Sequence, residues 1–321
     1  MTAHLTRKLS TPALVFTVLC GCIIGTITFG PRSVMGLFMT PMVDAQGWSR
    51  EIFAFSIALQ NLVWGAVPPF AGGFADKYGT WRVLTFGAVV YVLGLVLMAY
   101  TTDPVALQLT AGVLIGTGIA SSAFFLVLAA FARIVPEEWR GLAFGLGTAA
   151  SSAGQLVFAP LGQAWIDAYG YHTTLLLLAG IVALVPILAI TIKGKPQNAA
   201  PAKGQTDQSV REALAEAFGN RSYILLVAGF FVCGYHVAFI TVHLPTYIRD
   251  ICGPTPLAAW SIAIIGAFNI IGAISAGWFM GRFPKRYILS FIYLGRAVVI
   301  SAFVLLPVTE PSIVVFSAAM G

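Results

Sequence analysis

The sequence is short of charge. Asp, Glu, Lys and Arg make up 9 % of its 321 residues, against roughly 25 % in an ordinary soluble domain. That scarcity excludes a water-soluble globule. With 58 % hydrophobic residues and a mean hydropathy of +0.88, too little polar surface remains to cover a core. Cysteine is scarce too: Cys20, Cys22, Cys233 and Cys252 are the only four, three of them within apolar runs, so no disulfide framework is expected. There is no Gly-Lys-Ser/Thr phosphate loop, which argues against an ATP-driven pump, and no His-Glu-x-x-His zinc helix. Nothing in the spacing of Ser and His suggests a nucleophile and its base. No enzyme activity, cofactor or metal is therefore expected.

What the chain does have is long apolar runs, about 20 to 27 residues each, where barrel strands would be about ten residues with strict alternation. A bilayer offers no water to unpaired backbone groups, so these runs must be helices. They predict spans at 13–38, 52–74, 83–100, 105–131, 142–166, 173–192, 223–248, 257–280 and 288–306, with a tenth beginning at Ile313. The first run is too long for a signal-peptide core and is followed by eight more.

The net charge is +6 and the pI 9.3, but placement gives the basic surplus a meaning unrelated to nucleic acid. Arg7, Lys8, Lys77, Arg82, Arg133, Arg140, Lys193, Lys195, Lys203, Arg211, Arg221, Arg282, Lys285 and Arg286 fall on one side of the predicted spans. Only Arg50 and Arg249 fall on the other, and Arg32 and Arg296 lie within spans. The positive-inside rule then puts the amino terminus in the cytoplasm of a multi-pass protein of the cytoplasmic (inner) membrane. Residues 193–221, with Pro196, Pro201 and several polar residues, read as a cytoplasmic linker with a short amphipathic helix at 211–218. The chain divides into a six-helix bundle (1–192), this linker (193–221) and a second, incomplete bundle (222–321).

An echo crosses the linker. The loop Gly72-Gly-Phe-Ala-Asp76-Lys77-Tyr-Gly79-Thr-Trp-Arg82 has a counterpart in Gly277-Trp-Phe-Met-Gly281-Arg282-Phe-Pro-Lys285-Arg286. Each lies between the second and third helix of its half, and each is followed by a span ending in an acid-Pro pair, Asp103-Pro104 or Glu310-Pro311. A parallel repeat of six-helix units accounts for the spacing. The first of these loops resembles the signature of the major facilitator superfamily, Gly-x-x-x-Asp-(Arg/Lys)-x-Gly followed by basic residues, matched at Gly72, Asp76, Lys77, Gly79 and Arg82. The resemblance implies an all-α membrane protein of two helix bundles: six complete helices plus an incomplete second bundle, about nine full spans and the start of a tenth. It also implies that the Gly72–Arg82 loop belongs to an inner gate, and that the plan of six plus six is unfinished at Gly321.

Gly30-Pro31-Arg32-Ser-Val-Met-Gly36, Gly47-Trp48-Ser49-Arg50 and Pro136-Glu-Glu-Trp-Arg140-Gly141 are similar to the monocarboxylate transporter and oxalate:formate antiporter branch. That branch often carries an arginine four residues after an Asn or Asp in helix 8, where Ala273 follows Asn269 here. The drug-antiporter branch expects an arginine before Gly116-Thr-Gly118, where Gly112 stands.

An ionisable group inside a span costs about 3 kcal/mol on insertion scales, so each needs a reason. Arg32 is suited to hold a carboxylate in two hydrogen bonds; alternatively it snorkels to the head groups. Gln60, Asn61, Gln155, Tyr235, His236 and Asn269 place polar groups at comparable depth, as a midplane substrate site requires. The bland alternative is interhelical hydrogen bonding. All 12 Asp and Glu lie in loops or at helix ends, so a coupling proton would fall to a histidine (His236 or His243), to residues outside this sequence, or to none. Arg296 reads as structural. The expected function is a secondary active transporter moving a small, anionic molecule of monocarboxylate type across the bilayer by alternating access. The alternatives are an exporter of amphipathic or drug-like compounds and a transport-dead membrane sensor or interaction protein.

Overall fold

The structure, a computed structural model, describes residues 11–122, 124–192, 216–253, 256–280 and 282–321. All regular structure among them is helical. The expected linker lies mostly outside the described residues.

α1 (Thr11–Ser33) contains Pro31, which withholds an N–H from the helical ladder. The chain answers by tightening: a 3-10 turn (Met35–Phe38) leads into α2 (Met39–Gln46), so the apolar helical run continues past 38 to Gln46. Gly47 ends it in the left-handed conformation at φ 67°. α3 (Arg50–Ala66) and α4 (Pro68–Tyr78) are the expected second span bent by 44° at the Pro68-Pro69 pair. Gly79, at φ 94°, turns the chain into α5 (Thr80–Ala99).

Asp103 accepts hydrogen bonds from the Val105 and Ala106 amides and so caps α6 (Pro104–Leu107). A π-helical segment (Gln108–Leu114) and α7 (Ile115–Ser121) continue that element, and α8 (Phe124–Ile134) follows. α9 (Glu137–Val182) is two helices joined at Gly170, whose φ 76° and ψ 167° are not helical. α10 (Val185–Ala189) completes this part. Later in the chain come α11 (Arg221–Cys252), α12 (Leu257–Met280), α13 (Lys285–Leu305) and α14 (Glu310–Met320). The two acid-Pro pairs both open helices but in different roles. Asp103 is itself the cap, whereas Thr309 caps α14 in a reciprocal pair with Ser312.

By length and apolarity, seven helices among the described residues can cross a membrane, or up to eight with the bent pair. The sequence led to a count of nine and the start of a tenth. The difference has a physical source: the run Gly141–Ile192 has 52 residues and counts once. At ~1.5 Å per residue it is more than twice the ~30 Å hydrocarbon thickness. α14, with 11 residues, is too short to count.

α1 lies closely along α9 and is sewn to it. Thr26 Oγ1 donates to the Ala150 carbonyl at 2.8 Å. A Cβ on Gly154 would stand 2.5 Å from the Thr26 carbonyl oxygen, so only glycine permits this approach. α9 in turn packs on α12 across Gly266, where a Cβ would meet the Ser152 carbonyl at 2.9 Å. These two glycines join the two groups of helices through α9.

A buried arginine beside a polar seam

Arg32 stands in the last turn of α1 and is only 8 % exposed. Its Nη2 donates to Asn61 Oδ1 at 2.8 Å, and its guanidinium lies 4.2 Å from the Trp64 ring centroid and 5.3 Å from that of Phe29. Asn61 Nδ2 donates to the Ile57 carbonyl at 2.8 Å, which turns its oxygen towards the arginine. Aromatic faces attract the cation, but they do not neutralise it. The ion pairs formed among the described residues are Arg50–Asp250 and Arg133–Asp76, so no carboxylate answers Arg32.

The other candidates divide. Gln60, next to Asn61, points the other way: its Nε2 donates to the Ala111 carbonyl at 2.8 Å, in the π-helical segment. Gln155 is buried against Gly266, and its Nε2 has no hydrogen-bond partner among the described residues. Asn269 follows Gly266 by three residues, on the same side of α12. His236 Nδ1 is likewise without a partner among the described residues, while Tyr235 is 58 % exposed and stacks on Phe239 at 5.8 Å. Arg32 and Asn61 are thus brought into contact, Gln155 lies at the α9–α12 seam, and the Asn269 backbone lies instead against Gly321. Gln60 and Tyr235 are directed elsewhere.

Trp64 and Phe29 were not singled out from the sequence. Trp64 had a signal, since it lies one helical turn from Asn61 on the same face. Arg296, expected to be structural, donates to the Met320 carbonyl at 3.5 Å and to Cys233 Sγ at 3.6 Å. No group of three or more His, Cys, Asp or Glu able to hold a metal occurs among the described residues.

At the end of the molecule bearing the basic loop, Arg133 Nη2 meets Asp76 Oδ1 at 3.2 Å, which ties α4 to the end of α8. Gly72 has open space where a side chain would be, Gly79 makes the turn, Lys77 lies beside the Tyr78 ring, and Arg82 lies beside that of Trp81. At the opposite end, α11 closes on the first helices. Arg50 donates twice to Asp250, at 2.5 and 2.9 Å. Thr246 Oγ1 lies 3.5 Å from Met39 Sδ. A Cβ on Gly36 would stand 2.4 Å from the Thr241 carbonyl oxygen. Thr40, Gln163 and Arg249 line the narrow slot left there.

Apolar helices long enough to cross a bilayer, which pair their own backbone groups, define a multi-pass membrane protein. The chain belongs to the Major Facilitator Superfamily, whose sequence profile matches residues 21–321, and members of that family are transporters rather than enzymes. It is 27 % identical to the MFS-type transporter YcxA of Bacillus subtilis, over 80 % of this chain and 63 % of that protein. It is also 27 % identical to monocarboxylate transporter 4 of Rattus norvegicus, over 86 % of this chain and 60 % of that one. It therefore spans less than two thirds of either relative. The fold resembles that of the xylose transporter XylE from E. coli, with a TM-score of 0.72 at 16 % identity, over 96 % of this chain and 82 % of that one.

Proposed function

We propose that the chain is part of a secondary active transporter that moves a small organic anion of monocarboxylate type by alternating access, with nine spans and the start of a tenth. The observation that carries this reading is the buried guanidinium of Arg32, which has no carboxylate among the described residues to answer it. A buried unpaired charge costs several kcal/mol, and a bound carboxylate offsets that cost while accepting two parallel hydrogen bonds. The partnerless Gln155 Nε2 is a donor, which suits an acceptor-rich ligand. The similarity to a monocarboxylate transporter agrees with this reading. The expected test is saturable uptake of radiolabelled pyruvate or lactate into vesicles holding the full-length protein. An absence of saturable uptake for every short carboxylate tried defeats the proposal.

With the basic loops cytoplasmic, the Arg50–Asp250 end is the outer one, and the structure corresponds to a state closed on the outside. The pair is about half exposed, so its contribution is at most about 1 kcal/mol, or a several-fold shift in population. Neutralising either residue, by Arg50→Gln or Asp250→Asn, is expected to raise maleimide labelling of a Thr40→Cys reporter about two- to five-fold. The double variant should add little further. Additive effects of the two would show that the pair is not a latch.

A further inference from the structure

We infer that Gln163 acts as a counterweight in the outer gate, an acceptor that closing leaves buried and unpaired and that opening returns to water. The inference rests on the reading given above, in which the structure corresponds to a state closed on the outside. Gln163 stands on α9, is 7 % exposed, and its Oε1 has no hydrogen-bond partner among the described residues. Its Nε2 donates to Asp167 Oδ1, one helical turn further on, at 2.7 Å. That bond fixes which end of the amide is left over. Turned the other way, the amide oxygen would face a carboxylate, acceptor against acceptor. Asp167 itself is exposed, so water can serve the carboxylate, and the amide oxygen alone is stranded.

This burial is a product of closure. Gln163 lines the slot at the outer end together with Thr40 of α2 and with Pro245, Thr246 and Arg249 of α11. The slot leaves no room for a water molecule. Thr246 could have offered its hydroxyl, but directs it to Met39 Sδ instead. One wall of the slot is thus α11, which withdraws when the two groups of helices part at this end. Water then reaches the amide oxygen and the cost of stranding it ends. The magnitudes decide what this does. A buried, unpaired acceptor shifts a two-state balance by about 5- to 150-fold. The half-exposed Arg50–Asp250 pair pulls the other way by only several-fold. Gln163 therefore keeps the tightly packed closed state from becoming a trap.

Maleimide labelling of a Thr40→Cys reporter in the full-length protein tests this, with Cys252→Ser removing the native thiol at that end. Gln163→Met fills a similar space without the stranded acceptor, so the closed state gains. Labelling should fall at least five-fold, and the uptake rate should fall with it. A merely structural role would move the melting temperature and leave labelling where it was. Labelling of Gln163→Met equal to or above that of wild type overturns the inference. Should that variant fail to fold, Gln163→Leu, which is shorter and equally without an acceptor, decides by the same measure. If Arg50→Gln also leaves labelling unchanged, the closed-outside reading falls and this inference with it. A response to Arg50→Gln but not to Gln163→Met removes this inference alone.

Discussion

Replacing Arg32 by alanine is expected to abolish saturable carboxylate uptake while leaving the protein folded. Truncating one partner of a buried, hydrogen-bonded charge pair costs about 2 to 5 kcal/mol of binding, which is roughly 30- to 4,000-fold in affinity. Arg32→Lys keeps the charge but loses the flat fork that grips both carboxylate oxygens, so intermediate uptake is expected. Stability should move the other way. Arg32 is 8 % exposed and its guanidinium has no carboxylate partner among the described residues. Replacing it by methionine, which fits the space between Phe29 and Trp64, should hold or raise the melting temperature. Transport lost together with a melting temperature held is the signature of a binding residue. If uptake in Arg32→Ala equals that of wild type, the arginine is a snorkelling side chain and export of amphipathic compounds becomes the better reading.

The second large effect is expected at Gly36. Valine there must displace the Thr241 and Val242 backbone, because even a Cβ would stand 2.4 Å from one carbonyl oxygen and 2.7 Å from the other. Backbone on a packed helix yields far less readily than a side-chain tip, and overpacking of this kind costs about 1 to 3 kcal/mol. That cost falls only on the state in which α11 closes against the 3-10 turn after α1. Gly36→Val should thus hold the outer end open, stop net transport, and raise Thr40→Cys labelling well beyond the effect of breaking the Arg50–Asp250 pair. Gly180→Ala is the matched control, since open space surrounds it. It should change neither measurement. Normal uptake by Gly36→Val would show that the tight approach is not needed for the cycle.

Much of this arrangement was legible in the sequence, and the gaps have physical causes. Membrane class followed from the apolar runs, and the family from Gly72, Asp76, Lys77, Gly79 and Arg82, because the gate loop is a local motif. Arg32 and Asn61 could each be picked out as polar residues in apolar surroundings, but their contact could not. Neighbouring residues on a helix point about 100° apart. Only the position of adjacent helices decides that Asn61 faces α1 while Gln60 faces Ala111. What a proline inside a span does to the helix was not legible in the sequence. Pro31 is passed through by a tightened turn, whereas Pro68-Pro69 bends the chain by 44°.

The π-helical segment at Gln108–Leu114 bears on how this element tolerates change in length. Such a turn holds one residue more than an α-helical turn of the same span, and it loosens the ladder around it. Gln60 takes advantage of this by donating to the Ala111 carbonyl. The element has in effect already absorbed a one-residue insertion. Removing one residue between 108 and 114 should restore an ordinary helix with its two ends in nearly the register they hold now. Gly118 would keep its place against Tyr91. A one-residue deletion here should be tolerated better than one in a regular helix, where it turns the two ends about 100° apart.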